Sequence, residues 1–188
     1  LFFVVFFPKY TQAATLSVSP SSGTYTVGKT FTVTFSVAST NQSVNAVSTN
    51  FTYSKDTLEI IGVSKSGSMI SLWAPGGDLA YSQSSGTGSF EGIITNPGYT
   101  GSFGKIASYT FRVKNTGNGY ITFKDAAILA NDGMGTNILT NVGNAIFTLI
   151  GSEKQVIPTP KPVTPTTPTP KPVETDTPLL VSEGALDI

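Results

Sequence analysis

Apolar and hydroxyl-bearing side chains alternate residue by residue along several segments of this chain, and this alternation restricts the fold more than any other sequence feature. In 30–37, phenylalanine and valine alternate with threonine and serine, and 107–113 alternates in the same way. A period of two places the apolar set on one face of a β-strand. We therefore predict half-buried strands whose apolar faces meet in one core. The predicted core residues are Phe31, Val33, Phe35, Phe51, Tyr53, Tyr109, Phe111, Ile121 and Phe123.

Turn residues divide the rest of this region into short segments. In 115–119, the sequence Asn-Thr-Gly-Asn-Gly separates 107–113 from Ile121 and Phe123. Because Asn-Gly tolerates positive φ at both turn positions, it predicts a β-hairpin here. About nine or ten short strands without a sustained helical period predict an all-β sandwich or jelly roll. The further predicted strands are 15–19, 44–53, 58–64, 79–83, 88–94, 126–130 and 145–150.

The composition of the chain changes sharply near residue 151. Eight of its twelve prolines lie in 156–178, where threonine is also abundant. Prolines at this density exclude helices and sheet ladders, so 152–178 is predicted to be an extended linker. Residues 1–14 are interpreted as the truncated remnant of a signal peptide, with small side chains near a cleavage point. Residues 15–151 form the predicted domain, and 179–188 is interpreted as the start of a further region.

The composition also excludes several classes of function. Histidine and cysteine are absent, so Ser-His-Asp and Cys-His catalysis and thiolate or imidazole metal sites are excluded. Eleven basic and eleven acidic residues give a net charge of zero, and no basic patch for nucleic acid or an anionic membrane is evident. We expect an exported, extracellular or cell-surface protein that needs no cofactor.

Four segments, taken in order, resemble the cohesin family. The opening TLSVSPSSGTYTVGKTFTVTFSV (15–37) is similar to the first two cohesin strands, and FTYSKDTLEIIGV (51–63) is similar to a family signature. In that signature the usual Asp-Pro is replaced here by Ser and Lys at 54–55. The segment 104–123 resembles the family's late hairpin, and NDGMGTNIL (131–139) its Asp-Gly loop. The resemblance implies a flattened jelly roll of about nine strands that docks the dockerin module of a protein partner in polysaccharide-degrading assemblies.

The resemblance also implies a location for partner binding. In type I cohesins an Asn and an Asp on the strand before the signature contact the dockerin, and these positions fall on Ala46 and Ser48. Since side chains alternate along a strand, Asn50 and Thr52 would share that outward face. We expect the face to be flat, uncharged and solvent-accessible, and binding to depend only weakly on salt.

Two other functions remain open from the sequence. Trp73, Tyr81 and Tyr99 lie in or beside a Gly- and Pro-rich stretch, where an exposed coplanar row would stack on sugar rings. This predicts a carbohydrate-binding module whose partner is a polysaccharide, while the competing interpretation is that Trp73 packs against the edge of the core. A structural spacer of a surface protein or adhesin is the third possibility.

The acidic residues are weighed as catalytic or metal-binding groups. A glycosidase needs two carboxylates in one cleft, and Asp78 with Glu91 is a pair that the sequence leaves open. Because scattered acids at strand ends are usually solvated, we expect no catalytic activity. The segment 131–133 (Asn-Asp-Gly), with Asn137, resembles a calcium loop. Its single carboxylate favours a Gly-rich turn, and we expect no metal.

Overall fold

A computed structural model describes residues 13–76 and 78–152, and every regular element in them is a β-strand. No helix in these residues is long and apolar enough to cross a membrane. The linker predicted over 152–178 lies outside the described residues except for its first position, as do 1–12 and 179–188. The strands are β1 (Ala14–Ser19), β2 (Ser22–Thr26), β3 (Thr30–Tyr53), β4 (Leu58–Ser64), β5 (Leu72–Trp73), β6 (Ala80–Ser82), β7 (Thr87–Ile93), β8 (Tyr99–Val113), β9 (Gly117–Ala130), β10 (Leu139–Gly143) and β11 (Ala145–Ile150).

The long strand β3 belongs to both layers of the fold. Its first half pairs with β1 and β8, which continue to β10 and β4, and these five segments form the first layer. Its second half pairs with β7 and β9; β5 and β6 extend the second layer beyond β7, and β11 and β2 extend it beyond β9. Register shifts between Val37 and Val44 mark the passage of β3 from one layer to the other. The result is a curled sheet, the jelly-roll sandwich expected from the alternation.

The core lies between the two layers and confirms the predicted register. All nine predicted core residues are buried in one cluster. Phe35 lies among three other rings, with centroid distances of 4.9 Å to Phe51, 5.2 Å to Tyr109 and 5.4 Å to Phe90. Aromatic pairs at these distances add stabilisation beyond the burial of their area. Of the threonines and serines that alternate with the predicted core residues, Thr30 and Thr32 are exposed and Thr34 and Thr110 are half-buried, whereas Ser36 and Ser108 are buried.

The hairpin predicted at Asn-Gly is wrong. In the part of the chain that the structure describes, β8 pairs with β3 and β4, whereas β9 pairs with β3 and β11. Gly119 lies inside β9, opposite Phe147. A Cβ there would lie 3.0 Å from Leu58 Cδ1 and 3.2 Å from Leu149 Cδ1. This glycine therefore allows close packing across the core, and the chain crosses between layers at 114–116.

The predicted strands differ from the observed ones in two ways. Some predicted segments are parts of one longer strand, and some very short strands were not predicted. Segments 30–37 and 44–53 are parts of the one strand β3, and 126–130 is the end of β9. The strands β2, β5 and β10 were not predicted, because each has at most five residues and little apolar alternation. Their pairing partners, which the sequence does not specify, determine their position.

Candidate functional site

The four predicted binding residues share the outward face of the second half of β3. Val47, Thr49, Phe51 and Tyr53 are buried in the core, so the residues between them point away from it. Asn50 is exposed, and Ala46, Ser48 and Thr52 are half-buried. We call this surface, together with the outward residues of β5, β6, β7 and β9 beside it, the β3 face.

Polar residues of β7 and β9 continue the β3 face on both sides. Directly opposed residues in an antiparallel pair present their side chains on the same side of the sheet. Ser48 lies opposite Glu91 of β7 and Ala127 of β9, and Asn50 lies opposite Ser89. The next row contains threonines only, since Thr52 lies opposite both Thr87 and Thr122.

One end of the β3 face is apolar. Leu72 of β5 lies opposite Ile93 of β7, which lies opposite Ala46, and Ala46 lies opposite Leu129 of β9. These four residues form one row across four strands. Leu72 is 59% exposed and Ile93 is 51% exposed, so the row offers apolar contact area to a partner.

A bulge in β9 adds charge to the centre of the β3 face. Thr49 lies opposite Ala126 and Phe51 opposite Phe123, so two residues, Lys124 and Asp125, lie opposite the single Asn50. Such a bulge turns side chains out of the regular alternation, and both residues are exposed. Asp125, Glu91, Ser48 and Asn50 line a shallow groove of about 340 Å³.

The expectation of an uncharged face is therefore wrong. Six carboxylates lie in the described residues, and two of them, Glu91 and Asp125, line the groove without a hydrogen-bond or ion-pair partner in that part of the chain. Both carboxylates come from the strands that flank β3, which is why a prediction based on β3 alone omitted them. The other four are partnered: Asp56 with Lys55, Glu59 with Arg112, Asp78 with Lys65, and Asp132 with Thr136.

The three aromatic residues of the carbohydrate alternative are not one exposed row. Trp73 is half-buried against the core, and the Lys65 ammonium lies 4.8 Å from the centre of its ring. Tyr99 also packs against the core, and its hydroxyl accepts a hydrogen bond of 3.0 Å from the Phe103 amide. Tyr81 alone of the three is exposed, at 45%. The core-edge interpretation of Trp73 is confirmed.

The candidate catalytic carboxylates lie at separate places. Asp78 forms an ion pair with Lys65 beside Leu79, whereas Glu91 lines the groove of the β3 face. The structure brings Glu91 together with Asp125 rather than with Asp78.

In the loop between β9 and β10, the Asp132 carboxylate accepts hydrogen bonds from residues of the same turn. The Asp132 Oδ1 atom accepts a hydrogen bond of 2.9 Å from the Met134 amide, and its Oδ2 atom accepts one from the Thr136 hydroxyl. The Thr136 hydrogen bond, followed by that of Met134, lowers the pKa of Asp132. Asn137 Oδ1 accepts hydrogen bonds from the amides of Ile128 and Leu139. These hydrogen bonds are those of a Gly-rich turn. The residues that the structure describes contain no group of three or more His, Cys, Asp or Glu side chains that could hold a metal ion.

Comparison with known proteins gives no match in sequence and many in structure. No family model and no curated protein sequence matches the chain. A type I cohesin–dockerin complex from Clostridium thermocellum matches with a TM-score of 0.60 and 14% identity, over 80% of this chain and 100% of that one. A non-cellulosomal cohesin from the archaeon Archaeoglobus fulgidus matches with a TM-score of 0.58 and 19% identity, over 75% and 94% of the two chains. The chain has the cohesin fold. A cohesin from Clostridium acetobutylicum, with a TM-score of 0.56 and 17% identity over 74% and 92% of the chains, has the same fold.

Within this cohesin fold, sequence reasoning missed the residues that the strands beside β3 contribute to the β3 face, among them Glu91, Ile93, Leu72 and Asp125. Glu91 and Ile93 alternate with the buried residues Phe90 and Gly92, and that alternation was a usable signal for their outward position. Leu72 lies in a two-residue strand and Asp125 in a bulge, and neither feature has a sequence pattern of its own.

Proposed function

We propose that this chain is a non-catalytic docking module that binds a dockerin-type protein partner through the β3 face, outside the cell. The observation that carries the proposal is that Ala46, Ser48, Asn50 and Thr52 lie together on one accessible sheet face. That face combines an exposed apolar row with unpaired polar and charged groups, the composition of a protein interface rather than of an inert surface. Solved structures with this fold include cohesins from Clostridium thermocellum in complex with dockerins.

The rest of the chain fits a displayed module. We propose that 15–151 is the folded domain and that 152–178 is its tether. The proline- and threonine-rich composition of 156–178 supports its assignment as a tether.

The test is a pair of charge-introducing variants on opposite sides of the molecule. Ser48→Arg with Asn50→Glu alters the β3 face, and Thr32→Arg with Thr30→Glu makes the same change at the same spacing on the outward face of the first layer. Each variant is titrated by calorimetry against a panel of dockerin modules, and its melting temperature is recorded. We expect the first variant to weaken binding at least about tenfold, because the arginine fills the groove beside Glu91 and the glutamate adds a further charge to the interface. The second variant should bind as the wild type does.

Two results would refute the proposal. One is a wild-type chain that binds no dockerin of the panel; the other is binding that survives the change on the β3 face with the fold intact. Retention on insoluble cellulose that disappears in Trp73→Ala would instead support the polysaccharide-binding alternative.

A further inference from the structure

Three adjacent strands at one side of the second layer present an uncharged surface. β9 pairs with β11 and β11 pairs with β2, so their outward residues lie side by side. Neither β2, nor β11, nor residues 117–122 of β9 contain a charged residue, whereas Lys124 and Asp125 are exposed further along β9. We call this surface the tyrosine face, and its outward residues include Thr24, Asn118, Tyr120, Ile146, Thr148 and Ile150.

Tyr120 provides an aromatic platform on the tyrosine face. It is 45% exposed, and Ile146, directly opposite on β11, is 50% exposed. Since Cβ atoms of opposed residues are about 4.5–5.5 Å apart, the ring and the isoleucine form one apolar area. The Tyr120 amide donates a hydrogen bond of 2.9 Å to the Ser54 hydroxyl, and the Asn118 side-chain amide donates one of 3.2 Å to the Tyr120 hydroxyl. The platform is thus held in place, and its hydroxyl can still donate a hydrogen bond to a ligand.

The polar groups next to this platform are unpaired. Asn118, Thr148 and Thr24 form the next row, about 6.6–6.8 Å along the strands. Among the described residues, the hydroxyls of Thr148 and Thr24 and the Oδ1 atom of Asn118 have no hydrogen-bond partner. On the first layer, by contrast, the hydroxyls of Thr32 and Thr110 are 2.9 Å apart and hydrogen-bond to each other. The hydroxyls of the tyrosine face therefore remain available to a ligand.

We propose that the tyrosine face binds a neutral polysaccharide whose sugar rings carry equatorial hydroxyls, such as a β-1,4-linked glucan or xylan. In these rings the C–H groups point to the two faces and the hydroxyls point to the rim. One ring stacks on Tyr120 and Ile146 through its C–H face, and its rim hydroxyls hydrogen-bond to Asn118 and Thr148. This inference does not rest on the proposed docking function, because it concerns other residues and another class of ligand.

The neutrality and the extent of the tyrosine face select this ligand class. An anionic polysaccharide would find no lysine or arginine on these strands to pair with, whereas a neutral one binds without the cost of burying a charge. Ile150 is 46% exposed and lies four residues from Ile146, about 13 Å along β11. Apolar contact therefore recurs beyond the polar row, and a chain of sugars can use both apolar positions where a single sugar covers one.

Retention on insoluble polysaccharides tests the inference. The full chain is mixed with microcrystalline cellulose and with insoluble β-1,4-xylan, and bound protein is measured at low and high salt. We expect retention on at least one of them that does not change with salt, because no ion pair contributes. Tyr120→Ala should weaken the affinity at least about fivefold, while Tyr120→Phe, which keeps the ring, should retain most of it.

Matched variants locate the effect. Tyr81→Ala removes another tyrosine that is 45% exposed, but on β6, and should bind as the wild type does. Thr24→Ala with Thr148→Ala removes two unpaired hydroxyls and should weaken retention. Thr32→Ala with Thr110→Ala removes two hydroxyls that bond to each other and should leave retention unchanged. The melting temperature of each variant shows whether its fold is intact.

Three results would overturn the inference. The first is no retention of the wild type on either polysaccharide. The second is retention that survives Tyr120→Ala and is lost in Trp73→Ala, which would assign the binding to the other aromatic residue. The third is a wild-type dimer in sedimentation equilibrium that dissociates in Tyr120→Ala without any retention, which would show that a second copy covers the face. Dockerin binding should be the same in Tyr120→Ala and the wild type, so the two proposals can fail separately.

Discussion

Gly88 supports the β3 face from beneath, and its replacement by alanine tests the packing directly. It lies in β7 between Thr87 and Ser89, whose side chains belong to the face, and opposite Phe51. A Cβ at Gly88 would point into the core and lie 2.2 Å from Phe51 Cζ and 2.6 Å from Phe51 Cε1. Since carbon atoms in contact are about 3.5–4.0 Å apart, the ring would have to retreat by more than about 1 Å.

Two opposing effects decide the sign of the change in stability. Replacing glycine by alanine without strain stabilises a protein by about 0.4–1 kcal/mol, because it restricts the unfolded chain. Overpacking a core costs about 1–3 kcal/mol. Phe51 is fully buried and lies 4.9 Å from the Phe35 ring and 5.2 Å from the Tyr109 ring, so it has little room to move. We therefore expect the steric cost to dominate, with a net loss of about 2 kcal/mol and a melting temperature lower by roughly 4–8 °C.

Urea denaturation of four variants, Gly88→Ala, Gly62→Ala, Phe51→Leu and the double variant of Gly88→Ala with Phe51→Leu, measures this effect. Gly62→Ala is the matched control, since it lies in β4 and the nearest atom to its added Cβ is Thr110 Cβ at 3.9 Å. We expect this control to be neutral or slightly stabilising. Adding Phe51→Leu to Gly88→Ala should recover at least about 1 kcal/mol relative to the sum of the two single changes. Equal stability of Gly88→Ala and Gly62→Ala would refute the reasoning.

Two further predictions concern the core. Gly119→Ala should destabilise the domain by about 1–2 kcal/mol in urea titrations, because its Cβ would crowd Leu58 and Leu149, and an unchanged midpoint would contradict this packing. Burial raises the pKa of Tyr109, so its contribution to stability is fully present below the unfolded pKa near 10 and is lost as pH rises through the folded value. In thermal melts from pH 8 to 12, Tyr109→Phe should therefore weaken the alkaline loss of stability; a pH profile identical to that of the wild type would show that Tyr109 does not contribute.

The fold was predictable because its main signal is local. The alternation around Phe35 and Tyr109 assigns each side chain to a face from its neighbours in sequence, and the structure buries every apolar residue so assigned. The hairpin prediction failed for the opposite reason. Asn118-Gly119 has the local chemistry of a turn, but the space between Leu58 and Leu149 requires a glycine inside a strand, and that requirement depends on residues distant in sequence.

The candidate site was predictable only along one strand. Ser48 and Asn50 followed from the alternation of β3, yet the charge of the face comes from Glu91 and Asp125 on its neighbours. A register shift of one residue in β7 would turn Glu91 toward the core, so its position depends on pairing with β3 and not on its own segment. The polarity and charge of a sheet surface therefore depend on rows of side chains that cross several strands. The alternation along a single strand shows which of its residues point outward, while the charge of the surface is decided by the strands beside it.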